Sequence, residues 1–148
     1  MNIGTEQFKI WYEEAKQGEA EAQFNLGVCY QNGLGTKKDS VEAVKWYWRS
    51  AKQGYAPAQL NLGCCYSEGE GVFVDKPFAF DWFLKAAEQN LPKAQCNVGI
   101  FYNNGDGVAT DLKEAFKWYL LSSEQGDATA QNNLGLFFKA ELVQKRIK

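Results

Sequence analysis

The chain reads as an all-α solenoid of antiparallel helix pairs, about eight helices in all, and three observations predict it. Sliding the sequence by 36 residues superposes it on itself without a gap: AEAQFNLGVCYQNGLG from Ala20 falls on APAQLNLGCCYSEGEG from Ala56, then on the stretches around Ala94 and Ala130. Within each unit the apolar residues follow a 3.6-residue period, with Ala22, Leu26, Cys29 and Tyr30 on one stripe. Helix stops and starts recur at fixed phase, as expected of units that cannot bury their apolar faces alone and must stack on neighbours.

The elements follow in order. A lone helix of the unit's second type opens the chain, around residues 5–18, in FKIWYEEAKQG. Units then begin near residues 19, 55 and 91. Each first helix stops at a turn of the type Asn32-Gly33-Leu34-Gly35, where glycine tolerates left-handed backbone. Each second helix starts after Asp39, Asp75 or Asp111, good N-caps, with Glu42 and Glu114 placed three residues on for a capping box. Pro77 sits in a first turn, where a missing N–H costs little. These helices end at Gly18, Gly54 and Gly126, and at Asn90 in the third copy, Asn being the best substitute for Gly at a left-handed C′ position. A final helix over 127–146 replaces the last turn by a charged extension. Residues 1–148 are thus expected to form one domain with a cap at each end.

Composition narrows the chemistry. The 148 residues include 14 Gly, five Trp, seven Tyr and ten Phe but no His, and the formal charge is −2. Histidine-based nucleophile systems, His-ligated metals and His pH switches are excluded. The near-neutral balance gives no nucleic-acid footprint, and the Lys145-Arg146-Lys148 cluster is too short to claim one. No run is long and apolar enough to enter a membrane, and no signal peptide is visible at the start. Cys29, Cys64, Cys65 and Cys96 form no CxxC pair, so reduced thiols in the cytoplasm are expected.

The residues AQFNLGVCYQNGLG followed by a capped WYWRSAKQG resemble the Sel-one-like repeat family, a relative of the tetratricopeptide repeat, over about residues 8–140. The resemblance implies a right-handed superhelical solenoid that serves as an adaptor or scaffold in protein complexes. Thr36 stands where the family pattern has Val, and Val98 where it has Leu. The paired cysteines of a secreted branch are missing, so the penicillin-binding or β-lactamase activity claimed there is not carried over.

Internal copies separate structural from recognition positions. Gly27, Gly63, Gly99 and Gly135 sit mid-helix, where Gly costs roughly 1 kcal/mol against Ala, so close helix approach is expected. Asn25, Asn61, Asn97 and Asn133 are expected to satisfy interior backbone groups, with a peptide clamp as the other reading. Trp46, Trp82 and Trp118 read as packing and the Gly-x-Gly segments as turns, without the Lys and Ser/Thr of a phosphate loop.

The positions that vary between copies fall within about 100° on one face of the first helices. They form an apolar stripe of Phe24, Val28, Leu60, Cys64, Cys96, Ile100 and Leu136, with Gln31, Ser67, Asn103, Asn104 and Asn132 as its polar companions. By analogy with tetratricopeptide repeats this stripe is expected to line a concave groove for a helix or extended peptide of a partner protein. The expected function is a non-catalytic protein-interaction module with no cofactor and no metal. A bacterial effector or immunity-type inhibitor of one enzyme or toxin is the alternative. A cell-wall or β-lactam enzyme is the remote one.

Overall fold

The computed structural model describes residues 4–147, and Lys148 of the basic cluster lies outside them. Among the described residues there are eight helices and no strand: α1 (Thr5–Lys16), α2 (Ala20–Asn32), α3 (Ser40–Lys52), α4 (Ala56–Glu68), α5 (Lys76–Glu88), α6 (Pro92–Asn104), α7 (Leu112–Glu124) and α8 (Ala128–Ile147). Consecutive helices pack on one another, most extensively within the pairs α2/α3, α4/α5 and α6/α7. The fold class is the expected one.

The caps form as the sequence requires, with one exception. Asp39, Asp75 and Asp111 accept hydrogen bonds from the backbone N–H groups of Glu42, Phe78, and both Lys113 and Glu114. The reciprocal half of the capping box is missing. The Asp39 and Asp111 N–H groups donate instead to the carbonyls of Tyr30 and Tyr102, so Glu42 and Glu114 are released to pair with Lys45 and Lys117. At the other end, Asn90 has φ 68°, the one left-handed non-glycine residue among those described. Gly71 shows why the second turn glycine recurs. Its φ is 76°, and a Cβ there would collide with the carbonyl oxygen of Ser40 at the start of α3.

The core is one packing scheme used repeatedly. Leu26, Leu62 and Val98 are fully buried at the same phase of α2, α4 and α6, and burying such a side chain contributes about 1.5–3 kcal/mol. Beside them a Cβ on Gly27, Gly63 or Gly99 would lie 2.5, 2.6 and 2.6 Å from ring carbons of Tyr47, Phe83 and Tyr119. The missing side chain lets each ring lie against the helix backbone, as the recurrence implied.

A glutamine relay ties the units together. Gln23, Gln59 and Gln95 are buried; their amides donate to the carbonyls of Ala15, Ala51 and Ala87 at 3.1–3.3 Å. Their own carbonyls accept from Gln53, Gln89 and Gln125 at 2.8, 2.9 and 2.7 Å. Both halves of a buried amide are thereby satisfied, which removes the desolvation penalty it would otherwise carry. Trp46, Trp82 and Trp118 are buried too, and each is capped by a cation: Arg49 lies 4.5 Å from the Trp46 ring, Lys85 4.7 Å from Trp82 and Lys117 5.2 Å from Trp118.

Candidate interaction cleft

The variable stripe does not form one continuous open groove. Phe24 and Val28 are half-buried against the core between α3 and α4, and Phe24 packs on Tyr47 and Tyr55 with ring centroids 6.0 and 5.5 Å apart. Leu60 and Cys64 pack in the same way against the core formed by α5 and α6. Cys96 is only 2% exposed and belongs to the core with Ala115, Tyr119 and Ala130, so it does not reach a recognition surface. The next unit leans over these positions and claims them. Two polar members are also committed internally: Gln31 accepts from the Tyr47 hydroxyl and donates to Glu70, and Ser67 accepts from Lys76.

The last copies are different. Ile100, Asn103, Asn104 and Leu136 come together in a cleft of about 580 Å³ between α6, the start of α7 and α8. Leu136 is 56% exposed, and Asn132 on α8 is exposed as well. Leu112, Tyr119 and Phe137 complete the apolar floor, while Thr129, Asn133, Glu141 and Gln144 supply polar edges. Of these, Leu112, Tyr119, Thr129, Phe137, Ala140, Glu141 and Gln144 were not legible as site residues. Ala140, Glu141 and Gln144 belong to the α8 extension, which has no counterpart in the earlier copies. Exposed Phe73, 95% accessible on the turn before α5, was missed for the same reason, since the other turns carry Lys37 and Ala109 there.

The asparagines do not take the role expected of them. None of Asn25, Asn61, Asn97 and Asn133 bonds a backbone group among the described residues. Asn61 stands near the Tyr47 hydroxyl and Asn133 near that of Tyr119. Burial raises both phenols, Tyr119 to about 12, and the asparagine partner works against the shift. Asn133 also edges the cleft.

Nothing in the thiols favours bond-making chemistry. All four are free. Burial pushes Cys64 up to about 11 and Cys65 and Cys96 to about 12, so at neutral pH they are protonated and poorly nucleophilic. Glu70, which could have served a cation, is occupied by Gln31 and Ser40. No group of three or more metal-ligating side chains occurs among the described residues, and no described helix is long and apolar enough to cross a membrane.

The model of the Sel1 repeat matches residues 20–55, 56–91 and 92–127. The chain is similar to a solved protective antigen present in uropathogenic Escherichia coli strains displaying an SLR fold, with 44% identity and a TM-score of 0.83 over 90% of this chain. It is likewise similar to a Sel1 repeat protein from Oxalobacter formigenes, at 37% identity and TM-score 0.84 over 90% of this chain. It spans 28% of the first of those solved chains and 55% of the second. Helicobacter pylori cysteine rich protein B shares the fold, at 18% identity and TM-score 0.67, covering 85% of this chain and 90% of that one. No curated protein matches the chain.

Proposed function

The chain belongs to the Sel1 repeat family, and on that premise we propose that it is a non-catalytic recognition module holding a segment of a partner protein in the cleft between α6, α7 and α8. Sel1 repeat proteins are generally protein-interaction scaffolds rather than enzymes and typically bind other proteins. The observation that carries the finer reading is the cleft itself. Ile100, Leu136 and Phe137 offer an apolar floor, and Asn103, Asn104, Asn133 and Gln144 offer amides at its edges. Such a surface suits an amphipathic helix or an extended apolar peptide, whose backbone or polar side chains the amides can meet. With Glu141 its one charged lining residue, recognition rests on shape and apolar contact more than on charge.

Two of the helices that build the cleft, α6 and α7, are held by the satisfied amide of Gln95 and by fully buried side chains, so on that side binding proceeds with little backbone change. Four unpaired, protonated thiols suit a reducing compartment, which supports a cytoplasmic setting.

The test pairs the wild-type chain with a Leu136→Asp, Asn103→Arg variant, both positions exposed and outside the core. Affinity capture from the native lysate should recover a partner with the wild type and lose it with the variant, while circular dichroism stays the same. Equal recovery by the two proteins sinks the cleft reading.

A further inference from the structure

The turns that join first helices to second helices line one edge of the solenoid. Residues 33–39, 69–75 and 105–111 connect α2 to α3, α4 to α5 and α6 to α7. Each leans on the start of the preceding second-type helix. A Cβ on Gly35 would meet the Gly4 carbonyl before α1, one on Gly71 the Ser40 carbonyl of α3, and one on Gly107 the Lys76 carbonyl of α5. The three turns thus stand in a row, one unit apart. Their backbones agree, since the paired glycines have φ of 69° and 71°, 73° and 76°, and 72° and 65°. Their exposed side chains do not.

The tip of the turn is Lys37-Lys38 in the first copy, Phe73-Val74 in the second and Ala109-Thr110 in the third. Phe73 is 95% exposed and Val74 57%. The same turn closes with lysine or alanine at the tip, so its folding makes no demand for phenylalanine there. A large apolar side chain held out in water is the usual anchor of a contact between proteins. The flanking turns differ in charge. The first carries Lys37 and Lys38 against one carboxylate, Asp39, which caps α3. The third carries Asp106 and Asp111 and no cation. In the middle turn Glu70 is held by Gln31 and Ser40, and Asp75 caps α5. Among the described residues none of Lys37, Lys38, Asp106 and Asp111 forms an ion pair. Along the edge the order is basic, apolar, acidic.

An edge in that order is complementary to itself when reversed. We propose that it pairs with the same edge of a second copy, antiparallel, about a two-fold axis passing beside Phe73. The Phe73 and Val74 side chains of the two copies then meet at the centre. Lys37 and Lys38 of each copy face Asp106 and Asp111 of the other, and the symmetry makes every such contact twice. Parallel pairing would instead set the lysines against their own copies. An anionic lipid surface fits less well, because the acidic third turn would repel its headgroups. Three turns make a contact below the standard size, and the two Asp75 carboxylates oppose each other near the axis, so the dimer is weak and concentration-dependent. No residue of this edge lines the cleft, and a dimer built this way carries two clefts, both open.

Sedimentation velocity of the whole chain, over a concentration series reaching about 1 mM, reads the association. The chain should pass from monomer to dimer and no further, and about 0.5 M salt should weaken the dimer. Phe73→Asp, at an exposed tip, should weaken dimerisation roughly tenfold or more with an unchanged circular dichroism spectrum. A Lys37→Glu, Lys38→Glu variant should also stay monomeric, as should an Asp106→Lys, Ala109→Lys variant. An equimolar mixture of these two charge variants should dimerise again, because each then meets its opposite in the other. A wild-type chain that remains monomeric throughout the series overturns the proposal. So does a dimer indifferent to Phe73→Asp, growth beyond the dimer, or a mixture no more associated than its components.

Discussion

The α4/α5 pair and α8 carry the same first-helix motif, NLGCCY against NLGLFF, in opposite physical situations. In α4, Leu62 and Gly63 are sealed under α5, and the glycine is a space reserved for Phe83. In α8, Leu134 is half covered and Gly135 faces open space. One motif therefore has two energetic meanings, and the difference lies in the neighbouring helix rather than in the residues themselves. Recurrence within a chain marks what the repeat is built to do. Only the structure tells where that capacity is used.

The largest test of this contrast is a truncation. Leu62→Ala should cost about 3 kcal/mol, within the usual 2–5 for a buried leucine, while Leu134→Ala should cost about 1 because its site is already half open. Urea denaturation reads both, and equal losses would break the comparison. The next test reverses sign. Gly63→Ala should lose about 1–2 kcal/mol, since overpacking against the buried Phe83 ring outweighs the gain in helix propensity. Gly135→Ala meets nothing and should gain up to about 1 kcal/mol, raising the thermal midpoint.

A smaller, local effect follows from the cap of α8. Asp127 accepts from the Ala130 N–H at 2.8 Å, a side-chain cap that α2, α4 and α6 lack. Asp127→Ala should cost about 1 kcal/mol, with faster amide hydrogen exchange in α8 and unchanged exchange in α4. The smallest effect at moderate alkalinity concerns ionisation. Cys64, Cys65, Cys96 and Tyr119 are all raised in the folded chain, to between about 11 and about 12. The unfolded chain then binds fewer protons once pH exceeds about 9, so stability is complete below that point and falls as pH climbs towards 12. Urea midpoints should match at pH 6.5 and 7.5 and begin to drop at pH 9.5. Helix α8 contains neither a thiol nor a phenol, and the loss should spare its local opening.

The helix borders, the aspartate caps, the left-handed Asn90 and the close approach at Gly27, Gly63 and Gly99 were legible, because each is decided within one unit by local chemistry; the same expectation fails at Gly135, which meets nothing. The binding stripe was legible only in part, and Cys96 shows why. Variation between copies marks a position free of the unit's own demands, but the next unit can make demands of its own. Phe24 is matched to Tyr55 and Cys96 to Ala130 across such a boundary. A helical wheel cannot distinguish a neighbour's surface from solvent. The cleft at α8 escaped for a related reason, since it draws on an extension no other copy contains. The capping boxes failed at a single atom, the aspartate N–H, which the preceding helix had already engaged.

The glutamine relay has a consequence for how such a molecule can change length over generations. Each relay amide must face backwards to one carbonyl and forwards to one glutamine. Inserting or deleting a single residue within a helix would turn it by about 100° and break both links. Duplication of a whole 36-residue block preserves every link and adds another with the same geometry. Genetic lengthening is thereby quantised: the molecule grows or shrinks in complete steps, while a one-codon slip inside a helix is selected against.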